Sequence, residues 1–212
     1  METIFLRVTG QLGFAVAGIG IEFLHTTERE VPHFCDMEKI SMENLGRMSM
    51  DDFKNTPKLP LVLVLDSVRS GLNVGSIFRT ADAFALEQVL LCGITAQPPH
   101  REILKTALGS TDSVAWTYYS KTLDAVRALK NQGVSVFAIE QTTEKTWLQD
   151  FSPEKGKRYA FVLGNEVEGV DSETLALCDG ALEIPQFGTK HSLNVAVAAG
   201  IVAWEFVRNL QG

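Results

Sequence analysis

Three separated stretches of this chain set polar side chains beside glycines, where a backbone left bare could meet a ligand. The first is Asn73-Val74-Gly75-Ser76-Ile77-Phe78-Arg79. Its guanidinium is permanently charged and planar, a fork suited to phosphate. The second, Leu163-Gly164-Asn165-Glu166-Val167-Glu168-Gly169, puts the Glu166 carboxylate next to a glycine that lets backbone lie flat against a bound molecule. The third runs from Ile184-Pro185-Gln186-Phe187-Gly188 to Ser192-Leu193-Asn194, at the head of an apolar run where an amide needs partners. Each stretch alone also reads as ordinary local structure: a capping asparagine or serine, a solvated arginine, a tight turn with an exposed acid.

From Leu59 onward, short apolar runs alternate with amphipathic patterns, which predicts an α/β fold with a mainly parallel sheet covered by helices. Strands are expected near Leu61–Leu65, Gln88–Cys92, Val114–Tyr118, Val134–Ile139, Tyr159–Leu163 and Ala181–Ile184. Helices are expected near Val74–Ala85, Ile103–Leu108, Thr122–Asn131, Ser172–Leu177 and Leu193–Asn209. All three stretches then follow strands and lead into helices. Asn73 is placed as the cap of its helix, with Ile77, Ala81 and Phe84 turned to the core. Ser192 is placed as the cap of the last helix, which is apolar enough all round to be buried in a core or against another subunit.

The 212 residues, 45% of them hydrophobic, suffice for one domain with a real core. Residues 1–58 read as a short, partly ordered appendage with one helix around Met42–Phe53, and 59–212 as the main domain. The apolar start is interrupted by Arg7, Gln11 and Glu22, too soon for the roughly 20 residues of a membrane span. It has neither the basic flank nor the cleavage site of a signal peptide. Cys35, Cys92 and Cys178 are odd in number and widely spaced, which points to a reducing cytoplasm and to no metal. His33-x-Cys35 lacks the second pair that a zinc site needs. The net charge of −7 is uneven, since residues 22–52 hold eight acids and three bases. A nearly neutral remainder leaves a nucleic-acid partner open.

Together, in this order, the three stretches resemble the motifs of the SPOUT superfamily, in its SpoU-TrmH branch of RNA ribose 2′-O-methyltransferases. The resemblance spans roughly Pro60 to Asn209 and is most specific in Asn73–Phe84 and in Ser192-Leu193-Asn194-Val195-Ala196-Val197-Ala198-Ala199-Gly200-Ile201. It implies a C-terminal deep trefoil knot, S-adenosyl-L-methionine as cofactor, and a homodimer packed through the C-terminal helix. By motif position it implies cofactor contacts from Leu163, Gly164, Ile184, Gly188 and Leu193. Arg79 becomes the catalytic arginine, with Asn73, Glu166, Ser192 and Asn194 arranging the site and the RNA. The substrate it implies is RNA, tRNA ahead of rRNA.

Two positions depart from the family pattern. Gln186 stands where many relatives have methionine, and Ala196 where many have serine. The competing readings are a catalytically silent RNA-binding or assembly protein with the same fold, and a nucleotide-dependent oxidoreductase. The second is disfavoured because Gly18-Ile19-Gly20 has no third glycine and no glycine-rich turn follows the first strand of the main domain. His100, Arg101 and Lys105 form a small basic cluster able to touch phosphate.

Overall fold

The computed structural model describes residues 38–41, 44, 46, 48–190 and 192–211. The His33-x-Cys35 pair and the apolar start lie outside the described residues. The chain divides into two units, Met1–Gly46 and Arg47–Gly212, and every element described below belongs to the second.

Helix α1 (Met50–Asn55) is shorter than the helix expected over Met42–Phe53. The Ser49 hydroxyl accepts from the Asp52 amide at 3.1 Å, and Asp51 and Asp52 occupy the first turn, so capping and the helix dipole both favour a start at Met50. Extended Thr56, ahead of Pro57, ends it.

Seven strands follow: β1 (Leu59–Asp66), β2 (Leu86–Cys92), β3 (Trp116–Tyr119), β4 (Ser135–Ile139), β5 (Thr146–Trp147), β6 (Tyr159–Leu163) and β7 (Gly180–Glu183). They form one sheet in the order β3-β2-β1-β6-β4-β7-β5, with every pairing parallel. Six match the expected strands within a few residues; the two-residue β5 was not foreseen. The helices are α2 (Gly71–Ala83), α3 (Arg101–Ala107), α4 (Ser110–Ser113), α5 (Thr122–Asn131), α6 (Ser172–Leu177) and α7 (Val195–Gln211).

A parallel sheet must be covered on both faces, so its strands are apolar without alternation. On β1, Leu61, Leu63 and Leu65 join Val74, Ile77 and Phe78 of α2, Ile103 of α3, and Ala199, Val202 and Phe206 of α7. Val62 and Val64 face the opposite layer with Ala125, Val126 and Leu129 of α5. Phe161, fully buried on β6, meets Phe151 and Phe206 edge-on with ring centres 5.8 Å apart. Such aromatic pairs add about 0.5–1.5 kcal/mol beyond area burial. Among the described residues no helix is long and apolar enough to cross a membrane.

The order places β6, late in sequence, beside β1, early in sequence. From β1 the chain runs outward through β2 and β3, whereas β6 and β4 lie on the other side of β1. The crevice beyond the strand ends at such a reversal is where open α/β sheets bind ligands. The segments leaving β1 and β6 carry the first two polar stretches.

Candidate active site

Helix α2 begins two residues before Asn73. Ser70 is its cap, and the Ser70 hydroxyl accepts from the Asn73 amide at 3.3 Å. Asn73 therefore does not cap the helix, and its side chain is free for another task. A similar correction applies to α7, where Asn194 rather than Ser192 is the cap. Asn194 Oδ1 accepts from the amides of Ala196 at 2.9 Å and Val197 at 3.4 Å. Serine and asparagine cap equally well, and the more C-terminal residue wins here because its own carbonyl already accepts the first helical bond, from Ala198 at 2.9 Å.

These shifts bring the three stretches together. Asn194 Nδ2 donates to Asn73 Oδ1 at 3.2 Å, and Asn73 Nδ2 donates to Glu166 Oε1 at 3.0 Å. Each bond fixes the amide orientation for the next, so the chain of donors runs one way and ends on a carboxylate. Glu166 sits on a turn built by Asn165. The Asn165 Oδ1 accepts from the Val167 and Glu168 amides at 2.9 Å each, and Asn165 and Gly169 exchange two backbone bonds of 3.2 Å.

Gly164 has a reason beyond exposing backbone to a ligand. A Cβ there would fall on the carbonyl carbon of Gly169 and the nitrogen of Val170, so the returning turn is packed directly against it. Gly169 itself takes φ +71, and a Cβ on it would meet the Glu140 carboxylate.

Beside this turn lies a cavity of about 350 Å³, lined by Leu163, Gly164, Glu166, Ile184, Ser192 and Leu193 among others. Four of the five residues expected to hold a cofactor line it; Gly188 is exposed in the loop outside the lining. Glu166 and Ser192 line it as well, while Asn73 and Asn194 join it through hydrogen bonds to Glu166 and to each other. Arg79 lies outside the lining, exposed, and among the described residues it makes no hydrogen bond or ion pair. It follows Asn73 by six residues on α2, about 9 Å along the axis and about 120° around it. The His100, Arg101 and Lys105 cluster is exposed at the start of α3, also outside the cavity.

The sequence did not single out Glu140 and Glu183, which with Glu166 and Glu168 give the cavity four carboxylates. Both stand at the end of a strand, the same position class as the stretches that were noticed. Glu183 is nearly buried, and its Oε2 lies 2.5 Å from Lys145 Nζ, an ion pair outside hydrogen-bonding geometry. Among the described residues no three His, Cys, Asp or Glu side chains gather as a metal site.

Helix α7 is not buried all round. Val195, Ala199, Val202, Ala203, Phe206 and Val207 face the core, whereas Val197 (52% exposed), Ile201 and Trp204 (55%) form an open apolar stripe. Trp204 stacks obliquely on Phe84, with ring centres 6.2 Å apart.

The family model described as the SpoU rRNA Methylase family matches residues 60–204. The chain is similar to the 23S rRNA (guanosine-2′-O-)-methyltransferase RlmB of Neisseria meningitidis serogroup B, 30% identical over 155 residues that cover 73% of this chain and 61% of that protein. It is 30% identical over 213 residues to the protein of the same name from Bordetella pertussis, covering 100% of this chain and 85% of that one. Among solved structures, the AdoMet-bound rRNA methyltransferase from Sinorhizobium meliloti superposes with a TM-score of 0.67 at 29% identity, over 74% of this chain and 60% of that one. The chain thus spans less than two thirds of two of these three proteins.

Proposed function

The chain belongs to the SpoU rRNA Methylase family, and we propose that it transfers a methyl group from S-adenosyl-L-methionine to a ribose 2′-hydroxyl of RNA. The observation that carries this reading is the bonded chain Asn194–Asn73–Glu166 beside a cavity lined by Leu163, Gly164, Ile184 and Leu193. The names of the relatives shift the substrate from tRNA, expected first from the sequence, to rRNA, with a guanosine ribose as the leading target.

The cavity fits the cofactor in size and charge. Its volume of about 350 Å³ lies within the usual range for small-molecule sites, and Glu140, Glu166 and Glu168, which unlike Glu183 form no ion pair among the described residues, suit a ligand that carries positive charge. Leu163, Gly164, Ile184 and Leu193 would hold that ligand, largely through backbone groups at the strand ends, with Gly188 in the adjoining loop. When bound, it supplies a methyl group made electrophilic by a positively charged sulfur.

The protein's own task is to position a hydroxyl, a weak nucleophile, and to help it lose a proton. Positioning alone can lower the barrier by about 7–11 kcal/mol. Asn73 holds the Glu166 carboxylate in one orientation, and Asn194 holds Asn73, with Ser192 beside them at the cavity wall. Arg79 binds the phosphate next to the target ribose and stabilises the developing alkoxide. An arginine is effectively never deprotonated in proteins, so a phosphate oxygen or water takes the proton.

The open stripe Val197, Ile201 and Trp204 supports a homodimer paired through α7. The family resemblance further supports a trefoil knot in the C-terminal segment. Incubation with methyl-labelled S-adenosylmethionine and undermodified rRNA or tRNA, followed by nuclease digestion and nucleoside mass spectrometry, tests the reading. A 2′-O-methylnucleoside absent with Arg79→Ala is expected. Cofactor binding without a product on either RNA would favour a silent RNA-binding protein.

A further inference from the structure

The segment that leaves β6 returns between two carboxylates, one on each neighbouring strand. Glu140, directly after β4, accepts the Val170 amide on Oε2 at 3.0 Å and the Gln141 amide on Oε1 at 2.9 Å. Asp66, the last residue of β1, accepts the next amide, that of Asp171, on Oδ2 at 3.0 Å, and the Thr122 hydroxyl on Oδ1 at 2.6 Å. Asp66 is only 4% exposed. Because β1 and β4 are the two strands flanking β6, consecutive amides are gripped from opposite sides of the strand that launched the turn.

The turn is also a partition. Asn165, Glu168 and Gly169 line the cavity next to Glu166, and they equally line a second cavity of about 500 Å³ whose wall includes Asp66, Asp171 and Thr122. Glu140 lies on the first side and Asp66 on the second. Asn165 and Gly169 close the base of the turn, and its tip at Val167 is exposed. Besides the bond from Asn73 to Glu166, its placement depends on what anchors 170 and 171. Hydrogen bonds from amides to ionised carboxylates are about twice as strong as neutral ones, and a carboxylate as buried as Asp66 is costly unless its oxygens are occupied.

We infer that Asp66 and Glu140 are positioning residues for methyl transfer: by holding the Asp171 and Val170 amides they set the turn that presents Glu166 and the Gly164 backbone to the cofactor cavity. The inference rests on the functional reading above, and neither residue touches the reacting atoms in it.

The test uses the full chain as Glu140→Ala, Glu140→Gln, Asp66→Ala and Asp66→Asn. It measures calorimetric affinity for S-adenosylmethionine, separate kcat and KM for cofactor and rRNA, melting temperature, and hydrogen exchange at the Val170 and Asp171 amides. Glu140→Ala is expected to weaken cofactor affinity and lower kcat by about tenfold each, with KM for rRNA within about twofold. Exchange at Val170 should rise in parallel, and Glu140→Gln, which keeps one acceptor oxygen but not the charge, should restore the Val170 protection and most of kcat. Asp66→Asn should behave as Glu140→Gln does; if Asp66→Ala does not fold, the Glu140 pair decides alone. A folded Glu140→Ala with wild-type affinity and kcat overturns the inference. So does a loss of kcat with wild-type exchange at Val170, which marks the lost charge at the cavity wall, or a loss that disappears on cooling well below the melting temperature, which marks a general stability effect. A wild type that neither binds S-adenosylmethionine nor methylates RNA overturns the functional reading, and the catalytic role of the clamp with it.

Discussion

Asn194 donates to Asn73 across 121 positions of sequence, at 3.2 Å, and has no freedom to do otherwise. Its carbonyl oxygen is committed to the first amides of α7, which leaves only its NH2 group to face Asn73. Asn73 must then present oxygen to Asn194 and nitrogen to Glu166. A polarised sequence of bonds of this kind strengthens its members mutually and needs an acceptor at its end, here Glu166 Oε1.

Asn73→Asp should break this order more severely than Asn73→Ser. The aspartate cannot donate and sets a second carboxylate against Glu166. A fall in kcat of about a hundredfold is expected for the aspartate, with KM for rRNA little changed. Steady-state kinetics on both variants checks this, and equal losses would show that the donor direction does not matter.

Arg79→Lys should keep most of the affinity for RNA and lose most of the turnover. A lysine preserves the charge but not the planar pair of donors that can bridge a phosphate and a developing alkoxide. Filter binding at two salt concentrations together with single-turnover transfer separates the two effects. Near-normal turnover in the lysine variant would contradict the assigned role.

The Cys92 thiol is pushed up to about 12 by burial, with the nearby Asp66 carboxylate adding to the effect and a hydrogen bond with Thr122 opposing it. Burial likewise lifts Cys178 to about 11, where Lys130 opposes the rise and Asp179 adds to it. Both should resist alkylation at pH 8 in the native protein and react once it is unfolded, as site-resolved mass spectrometry would read. The sign for stability follows from the ordinary thiol value of 9.0: above it the unfolded chain loses these protons while the folded one keeps them. Stability present below pH 9 is therefore lost as pH rises toward 12. Denaturant midpoints at pH 7 and pH 10 should converge partly in Cys92→Val.

Gly164→Ala should reduce cofactor affinity sharply. The added methyl meets backbone of the returning turn, which cannot move aside as a flexible side chain would. A loss of about 2 kcal/mol or more in stability or binding is expected, because the strain has nowhere to relax. Calorimetry and thermal melts divide the cost between the two.

Val197→Glu and Trp204→Glu should convert the protein to monomers while leaving the fold intact. Both side chains lie on the open stripe of α7, away from its buried face. Sedimentation velocity at micromolar concentration reads the state, and a wild type already monomeric would remove the homodimer from the proposal.

Strong periodicity made several elements legible. Thr122–Asn131 and Ser172–Leu177 fall where the pattern places them, as does the strand Tyr159–Leu163. Helix starts were less legible, because Ser70 and Asn73, or Ser192 and Asn194, are chemically equivalent as caps and only tertiary bonds choose between them. The site residues were visible as three stretches, but their bonding was not, since it depends on β6 lying next to β1. Asp66 and Glu140 went unnoticed because a single carboxylate at a strand end looks like any turn residue until the amide it accepts, 30 or 105 positions away, is known. Two-residue β5 carries too little pattern to register at all.

The place of β6 between β1 and β4 governs how the polypeptide can assemble during synthesis. Until Leu163 has emerged from the ribosome, β3, β2 and β1 can form one fragment of sheet while β4 has no strand to pair with. A chain arrested after β4 but before β6 has emerged would hold a raw edge on β1 and a wholly unpaired β4, both awaiting the same strand. Release from such an arrest should expose these edges to protease and to other nascent chains, and arrest a few dozen residues later should not.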